Sequence, residues 1–516
     1  MPSNLFFSLR PSFRIGFIGL LVVALALPLA ARTKNKVKKL AKEIEQSFDA
    51  FAPTGMAVAV VKDGEIVLQS TLGYKDAEAQ SPITPNTLFS IASCSKAFTA
   101  ACVGLLVAEG KLDWSDKVTD FVPGFQLADP CITSQMTVRD LLCHRSGLGT
   151  FFGDLLWYGT NYTNQEVIRR MRHLPINRQF RSEFGYQNNM YMVAGEIIRE
   201  VSGKSWSEFV VERIFRPLGM QTTVPSNDEL APGQDLALGH IKGKKVPVYD
   251  FNATKPAASI YSSVNELSHW MRMLLDRGRW QGKEVLPAAV LADMFTAQVP
   301  QNVSAVWQSW GVHFRAYGLG WGMFDYAGKK VIEHNGGMPG YISKVCVVPE
   351  ENLGVVILNN GMNGVVNDAV RFKVLDYFLE HTGEDWDKVF GRFVEMGEEY
   401  EAHATRERTG SRVKRTKMSL NPEDYVGIYT DKMYGDAAVE MRGKTLHLTL
   451  QPAAAVFTSP MEHWHYDTFK VQFKDDFLTF GLINFKLDAY GKISGFKIDL
   501  PSDDFHFFNL DFRKKQ

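Results

Sequence analysis

The segment Ser93-Cys94-Ser95-Lys96 places a serine hydroxyl and a lysine amine on one side of the start of an apolar run with helical spacing. Residues three positions apart lie on the same face of a helix, so Lys96 would lie over Ser93. The backbone amide of Ser93 would lie at the positive N-terminal end of that helix. A serine hydroxyl becomes a nucleophile when a neighbouring base takes its proton and donors stabilise the oxyanion, and Ser-x-x-Lys is one solution. The spacing predicts nucleophilic catalysis by Ser93.

The four-residue pattern does not decide the matter alone. It occurs again from Ser411 to Lys414, in a basic segment, and from Ser494 to Lys497, in a β-rich tail. Neither of those segments opens an amphipathic helix. A serine that only caps a helix, beside an exposed lysine, would give the same pattern. The choice between nucleophile and helix cap therefore depends on other segments.

Two further segments carry polar groups at expected chain reversals. Tyr186 and Asn188 lie in Phe-Gly-Tyr-Gln-Asn, a turn directly before a helix, where a hydroxyl and an amide can project into a cleft. His334 lies in Glu-His-Asn-Gly-Gly after a β-prone run, and Gly336 and Gly337 would let a substrate backbone approach a strand edge. An ordinary turn and an ordinary loop are the alternatives.

Taken together, the three segments resemble the serine β-lactamase and penicillin-binding protein family, specifically its class C β-lactamase-like branch. Residues 137–148, 216–220 and 317–321 also resemble segments typical of that branch. The resemblance covers about residues 37–380. In the tail, residues 462–469 resemble the lipocalin-like domain that follows some of these peptidases.

The resemblance implies that Ser93 is the acylated nucleophile and that Lys96 and Tyr186 share the general acid and base work. Lysine and tyrosine both have ordinary pKa values near 10, so neither is a good base at neutral pH without help. A neighbouring positive charge lowers either pKa, and burial lowers that of a lysine. We therefore expect Lys96 and Tyr186 to be clustered, with the pKa of one of them lowered.

For substrate binding, the resemblance implies that Asn188 holds the substrate amide. The amides of Ser93 and Gly337 would form the oxyanion hole, with Gly336 beside them. His334 occupies a place where related enzymes often carry lysine. A histidine ordinarily titrates near pH 6.5, so recognition of a substrate carboxylate is expected to be weaker or more pH-dependent here. This lowers the expectation of β-lactam hydrolysis.

The elements that must position these residues come from both ends of the main domain. Residues 56–61 and 65–70 predict a β-hairpin, and residues 343–348 and 353–358 predict a second one. Between them the spacing is mostly helical, for example over residues 98–106. The predicted fold is α+β: an antiparallel sheet with a large helical insertion, as in the β-lactamases and transpeptidases.

Domain boundaries follow from composition. Residues 37–407 are expected to form the serine hydrolase domain and residues 408–419, rich in basic residues, a linker. Residues 420–516 predict a small all-β, lipocalin-like barrel. Its expected strands are residues 426–429, 446–450, 469–473, 477–480 and 505–510.

Residues 1–36 predict an export signal or a membrane anchor. Arg10 and Arg14 precede the apolar run 15–31, and a basic segment follows it. Ala30 and Ala31 supply only part of a cleavage pattern, so a tether to the membrane is the alternative to cleavage. The sequence predicts a periplasmic or extracellular location.

Composition limits the other function classes. Among 516 residues, 57 Lys and Arg balance 57 Asp and Glu, which gives no global field to attract nucleic acid. The five cysteines lack paired spacings for zinc or redox chemistry. His463 and His465 are interpreted as packing residues, and His144 as structural because no Gly-x-Ser-x-Gly motif accompanies it. Cys94 is expected to be a buried thiol. We expect no metal and no cofactor.

The sequence therefore predicts an exported serine hydrolase that forms an acyl-enzyme on Ser93, with a peptidase or amidase, including a D-amino-acid-directed one, as the favoured class. A carboxylesterase or a β-lactamase could use the same site. A binding protein without turnover is the alternative from another class. The β-rich tail would either cap the cleft and limit substrate size or mediate self-association.

Overall fold

The computed structural model describes residues 36–249 and 252–515. The predicted export signal or anchor lies outside this range except for its last residue. Within the described residues, no helix has both the length and the apolar character needed to cross a bilayer.

The centre of the catalytic domain is a nine-stranded antiparallel sheet, whose strand order is β4-β5-β6-β7-β8-β9-β1-β2-β3. Strands from the two ends of the domain meet at the pairing of β1 with β9, as the two predicted hairpins required. The α+β prediction is thereby confirmed. The strands are β1 (Gly55–Lys62), β2 (Glu65–Asp76), β3 (Ser81–Pro82), β4 (Val299–Pro300), β5 (Arg315–Tyr317), β6 (Gly322–Tyr326), β7 (Lys329–Met338), β8 (Tyr341–Val348) and β9 (Leu353–Asn359).

Both faces of this sheet are covered, which explains why its central strands are apolar at every position rather than at alternate ones. In β1, Ala57 and Ala59 face the helical insertion, whereas Val58 and Val60 face the opposite layer. The opposite layer consists of α1 (36–51), α5 (Val365–Phe378) and α6 (Trp386–Gly410).

The helical insertion contains the helices that position the candidate site. They are α2 (Ser95–Ala108), α3 (Asn188–Ser202) and α4 (Val264–Leu275). α3 ends at Gly203, whose φ of 72° is the left-handed conformation that glycine adopts without strain. Shorter helices complete the insertion and its surroundings: Val118–Phe121, Pro130–Gln135, Val138–Leu142, Asn164–Arg170, Trp206–Val210, Val211–Phe215, Arg216–Leu218, Lys255–Ala258, Ala288–Met294 and Ala305–Ser309.

The C-terminal domain is a closed eight-stranded antiparallel barrel, and pairing of its first strand with its last closes it. Its core is rich in aromatic residues and includes Tyr429, Phe485 and Phe496. The strands are β10 (Gly427–Asp431), β11 (Gly435–Arg442), β12 (Thr445–Leu450), β13 (Thr458–His465), β14 (Thr468–Val471), β15 (Gly481–Leu487), β16 (Ile493–Asp499) and β17 (Phe512–Lys514).

Two strand predictions in the barrel are wrong. Residues 477–480 form a turn and loop, and residues 505–510 form a loop around the short 3₁₀ helix Phe507–Asn509. Both segments are apolar because their aromatic side chains are buried against other loops and the catalytic domain. Phe505, for example, packs against Tyr158 of the catalytic domain, with ring centroids 3.9 Å apart and planes tilted by 32°.

The two domains share a polar and aromatic interface. The hydroxyl of Tyr158 donates to Oδ2 of Asp475 at 2.7 Å, and both residues are buried. The hydroxyl of Tyr162 donates to the carbonyl oxygen of Tyr434 at 2.6 Å. α6 extends to Gly410, three residues beyond the expected end of the catalytic domain, and leads into the barrel.

Candidate active site

Ser93 lies in the short 3₁₀ turn Ala92–Cys94, directly before α2. Ala92 adopts a φ of 44°, a left-handed conformation that costs energy for a residue with a Cβ. The turn is fixed on both sides, because the amide of Ile91 donates to the carbonyl of Ile260 at 2.9 Å and Ser95 Oγ accepts from the amide of Ile260 at 3.1 Å. This leaves Ser93 half-buried at the cleft while Lys96 is fully buried.

The ammonium group of Lys96 contacts three oxygen atoms. Nζ lies 3.0 Å from Oγ of Ser93, 2.7 Å from Oδ1 of Asn188 and 3.0 Å from the carbonyl oxygen of Ala257. Burial lowers the pKa of Lys96 to about 7, although the charge of Asp154 acts in the opposite direction. An amine with that pKa is substantially neutral at neutral pH, so it can accept a proton from Ser93.

Tyr186 packs against the same lysine. Nζ of Lys96 lies 4.8 Å from the centroid of the Tyr186 ring. Burial raises the pKa of Tyr186 above its ordinary value, and a hydrogen bond with Ser93 opposes this shift. Lys96 and Tyr186 are clustered as expected, and burial moves their pKa values in opposite directions. Lys96 is therefore suited to be the base and Tyr186 to donate a proton.

His144, which the sequence suggested was structural, supports Tyr186. The two rings are in contact, with centroids 4.1 Å apart and planes tilted by 37°. Nδ1 of His144 accepts a hydrogen bond from the amide of Gln187 at 3.0 Å, directly after Tyr186. Burial holds the pKa of His144 well below its usual range, so the ring is neutral.

Asn188 is the first residue of α3, and both ends of its amide have protein partners. Oδ1 accepts from Lys96, and Nδ2 donates to Oδ2 of Asp154 at 2.6 Å. The predicted contact of Asn188 with a substrate amide would have to replace or share one of these bonds. In this arrangement Asn188 orients Lys96.

Asp154 is a residue of this site that the sequence did not suggest. It begins the 3₁₀ turn Asp154–Leu156 after Gly153, whose φ of 88° needs glycine. Burial raises the pKa of Asp154 to about 8, and the bonds donated by Asn188 and by Nε1 of Trp157 oppose that shift. No motif marks this segment, so only the structure could place it beside Lys96.

His334 lies in β7 and is held as a neutral ring. Nδ1 lies 2.6 Å from the carbonyl oxygen of Asn335, so it donates there, and Nε2 then accepts from the hydroxyl of Tyr317 at 2.7 Å. Burial, together with the charge of Lys96, lowers the pKa of His334 to about 3. The expectation of a group that titrates near pH 6.5 is therefore wrong, because this burial disfavours the cation.

Gly336 and Gly337 lie on a part of β7 that has a free edge. β6 pairs with β7 only as far as Glu333, opposite Gly322, so the residues after it pair with β8 alone. A Cβ at Gly336 would clash with the carbonyl oxygen of Ile91, next to the Ser93 turn. The absence of a side chain at Gly336 thus lets β7 lie close to the Ser93 turn. A Cβ at Gly337 would make only an ordinary contact with Ile342, and the approach of a substrate backbone to this edge stays a prediction.

A cleft of about 630 Å³ brings these residues together. Six of the seven predicted site residues line its wall. The seventh, Lys96, lies beneath Ser93. The barrel supplies another part of that wall, through Phe477, Asp504 and Phe505. This agrees with one of the two roles expected for the tail, a cap on the cleft, whereas a limit on substrate size and self-association stay predictions.

The remaining candidate residues lie away from the reacting groups or are inert. Cys94 is buried as expected, and burial raises the pKa of its thiol to about 11. His463 and His465 lie on a barrel strand and contact neighbouring barrel groups. Within residues 36–249 and 252–515, no group of three or more His, Cys, Asp or Glu side chains is arranged to hold a metal ion.

Comparison with known families identifies the catalytic domain. The family described as Beta-lactamase matches residues 42–378, which is more than half of the chain. The chain belongs to the Beta-lactamase family. A second family, the Domain of unknown function DUF3471, matches residues 411–514, which include the barrel. The resemblance to serine β-lactamases and penicillin-binding proteins is confirmed, whereas the class C branch and the lipocalin-like character of the barrel stay predictions.

Two of three similar proteins carry hydrolase names. The Unguisins hydrolase ungD of Aspergillus violaceofuscus is 27% identical over 79% of this chain and 77% of its own length. The Unguisins hydrolase ungD' of Aspergillus campestris is 29% identical over 67% of each chain. The Protein flp of Staphylococcus aureus is 26% identical over 64% of each chain.

Solved structures show the same fold. The octameric penicillin-binding protein homologue from Pyrococcus abyssi aligns with 93% of this chain and 100% of its own, with a TM-score of 0.61 and 23% identity. The structure of SurE with D-Leu aligns over the same shares, with a TM-score of 0.56 and 17% identity. At these identities the likeness concerns the fold alone.

Proposed function

We propose that this Beta-lactamase family member is an exported serine hydrolase that forms an acyl-enzyme on Ser93 and cleaves amide bonds in peptides. One observation carries the proposal: a fully buried Lys96, with its pKa lowered to about 7, lies 3.0 Å from Oγ of Ser93. A helix cap beside an exposed lysine, the alternative for this motif, would not bury the amine.

In the acylation step, neutral Lys96 accepts the proton of Ser93 while Oγ attacks the substrate carbonyl carbon. The carbonyl oxygen becomes an oxyanion, which the amides of Ser93 and Gly337 would stabilise; one such donor contributes about 3 kcal/mol. Tyr186, which keeps its proton, would donate it to the leaving nitrogen as the amide bond breaks, and would regain a proton from Lys96. The products of this step are the acyl-Ser93 ester and the free amine.

Deacylation reverses the proton path with water as the nucleophile. Lys96 accepts a proton from the water while its oxygen attacks the ester carbonyl. The bond to Oγ of Ser93 breaks, Oγ takes up a proton, and the acid product leaves. Asn188 would keep Lys96 aligned through both steps, because it contacts Nζ and is itself held by Asp154.

Two observations favour peptides over other acyl donors. The free edge of β7 after Glu333 can pair with an extended backbone, which an ester or a small β-lactam does not offer. The neutral ring of His334 supplies no charge for a substrate carboxylate, which disfavours β-lactams. Whether D-residues are preferred is tested by paired D- and L-peptide substrates.

The test is covalent labelling of the full chain with a fluorophosphonate, followed by intact-mass measurement and peptide mapping. We expect one adduct on Ser93 in the wild type, none in Ser93→Ala, and an unchanged adduct in Ser411→Ala. Ser411 is the matched control, because it begins another Ser-x-x-Lys pattern on an exposed segment. If the folded wild type shows no adduct, or Ser93→Ala is labelled equally, the proposal fails and a binding role is favoured.

Export is a separate part of the proposal. It is supported by the apolar run 15–31 between basic residues. Expression of the full chain, with fractionation and N-terminal sequencing of the product, tests it. A product that stays in the cytoplasm with its first residues intact would contradict export, and a membrane-bound intact product would indicate a tether.

A further inference from the structure

The barrel wall of the cleft is fixed firmly against the catalytic domain. Its residues come from the loop after β14 and the loop after β16, and Phe477, Asp504 and Phe505 line the same cavity as Ser93. Phe505 packs against Tyr158, whose hydroxyl also donates to buried Asp475 of the barrel. These contacts hold the barrel loops in place as part of the cleft wall.

Asp504 places a carboxylate in this wall. It is half-buried, and within the described parts of the chain it has neither an ion pair nor a hydrogen bond to its carboxylate. The negative charge of Asp504 acts on Asp154 and Tyr158. After burial, it contributes to the raised pKa values of both residues. Asp504 therefore lines the same cavity as Ser93, and no cation among the described residues is paired with it.

Aromatic rings line the same cavity as this carboxylate. The ring centroids of Trp157 and Phe477 lie 6.3 Å and 6.2 Å from that of Phe505, next to Asp504. Trp157 and Tyr158 line the cavity with them. Aromatic faces attract cations through the negative potential of their π-systems, and a carboxylate adds a full charge to that attraction. The same surroundings repel an anion.

The cations that the structure describes in or beneath the cleft do not pair with the carboxylate of Asp504. The nearest cation of the proposed machinery is Lys96, which lies beneath Ser93 and whose Nζ is already held by three oxygen atoms. Arg315 and Lys344 also line the cleft, but Lys344 is paired with Asp368 at 2.9 Å and Arg315 stacks over Trp307. None of these three side chains forms an ion pair or a hydrogen bond with Asp504.

We propose that Asp504 and the aromatic rings beside it bind a cationic group of the substrate, an ammonium or a guanidinium, close to the bond that Ser93 attacks. This deepens the proposed function and rests on it. The barrel then selects substrates by charge, and Asp504 is the residue that determines this specificity.

The experiment compares two fluorophosphonates of equal length, one ending in a primary ammonium and the other in a hydroxyl. Second-order rates of Ser93 labelling are measured for the wild type, Asp504→Asn and Asp503→Asn. Asp503 is the matched control, because it is the neighbouring, exposed carboxylate of the same loop. We expect the wild type and Asp503→Asn to favour the ammonium probe by about tenfold or more, and Asp504→Asn to lose most of that preference.

A binding measurement separates this inference from the proposed function. Calorimetric titration of folded wild type and Asp504→Asn with benzylammonium and with benzyl alcohol needs no turnover. Asp504-dependent binding of the ammonium alone supports the site even if neither probe labels Ser93, which would overturn only the acyl-enzyme. Equal labelling rates for the two probes in the wild type, equal binding of the two ligands, or a preference that survives in Asp504→Asn overturns the inference.

Discussion

Nδ2 of Asn188 donates a hydrogen bond to Oδ2 of Asp154 over 2.6 Å, in the interior of the catalytic domain. The other end of the same amide accepts from Lys96. A carboxylate is thereby connected to the proposed base through one neutral side chain, and its charge influences how readily the lysine loses its proton.

Replacement of Asp154 by asparagine is expected to move the pH dependence of acylation to lower pH. The charge of Asp154 raises the pKa of Lys96, so its removal lowers that pKa. Because burial raises the pKa of Asp154 itself to about 8, only a small part of that charge is present near pH 7, and the expected shift is small. Neutral Lys96 is the active form, so the rate would reach half of its maximum at a lower pH than in the wild type. Labelling rates between pH 5 and 9 measure this shift. A midpoint that moves upwards would contradict the proposed coupling.

For the wild type, the acylation rate is expected to rise with pH and to reach half of its maximum near pH 7, the pKa of Lys96. Lys96→Arg should lower the rate by about 10² to 10⁴, because a guanidinium keeps its proton at these pH values. Rates of fluorophosphonate labelling, with circular dichroism to verify the fold, provide the measurement. A variant that keeps both rate and pH profile would assign the base to another group.

His334→Lys is expected to increase acylation by a β-lactam that carries a carboxylate. The neutral imidazole is replaced by an amine whose ordinary pKa is near 10, so it holds a proton far more readily than imidazole in the same buried place. A hydrogen bond to a charged group contributes about 1.5–3 kcal/mol, or about 10- to 100-fold in rate. A neutral ester of the same β-lactam is the control and should gain little. Since the pKa of His334 is about 3, its titration should not alter wild-type carboxylate recognition between pH 5 and 8. An equal gain for both compounds would argue against a charge effect.

Tyr158→Phe is expected to lower the free energy of unfolding by about 1.5–3 kcal/mol, the contribution of a hydrogen bond to a charged group. The variant removes the 2.7 Å bond to Asp475 and leaves that buried carboxylate with one donor fewer. Tyr249→Phe is the matched control, because its hydroxyl lies 3.4 Å from the same carboxylate and should matter less. Urea titrations compare the two. The reverse order of effects would show that the interface is held elsewhere.

Much of the fold was predictable because its signals are local. The hairpin around Gly64 and the helices α2 and α3 follow from turn residues and apolar spacing over a few positions. The segments 477–480 and 505–510 were misassigned as strands because their apolar residues pack against residues that are distant in the sequence. Phe505 is buried against Tyr158, which lies several hundred positions earlier in the chain, and no local period can record such a contact.

The candidate site shows the same limit. The Ser93, Tyr186 and His334 segments were found because each has a recognisable pattern. The neutral state of His334 could not be foreseen, because its pKa depends on burial and on the partners Asn335 and Tyr317. Asp154 and Asp504 were missed because a single aspartate in a loop has no pattern, and only the packing of the chain gives it a neighbour.

The cleft takes its reacting groups from one domain and part of its wall from another, and this separates two kinds of evolutionary change. Substitutions in the barrel loops around Phe477 and Phe505 can alter the choice of substrate while the pairing of Ser93 with Lys96 stays intact. Loops tolerate insertions and replacements better than the sheet and helices that hold the nucleophile. Duplicated copies of such a gene can therefore diverge in substrate choice before they diverge in the chemistry of Ser93. Exchange of these two loops between homologues is a direct route to new selectivity.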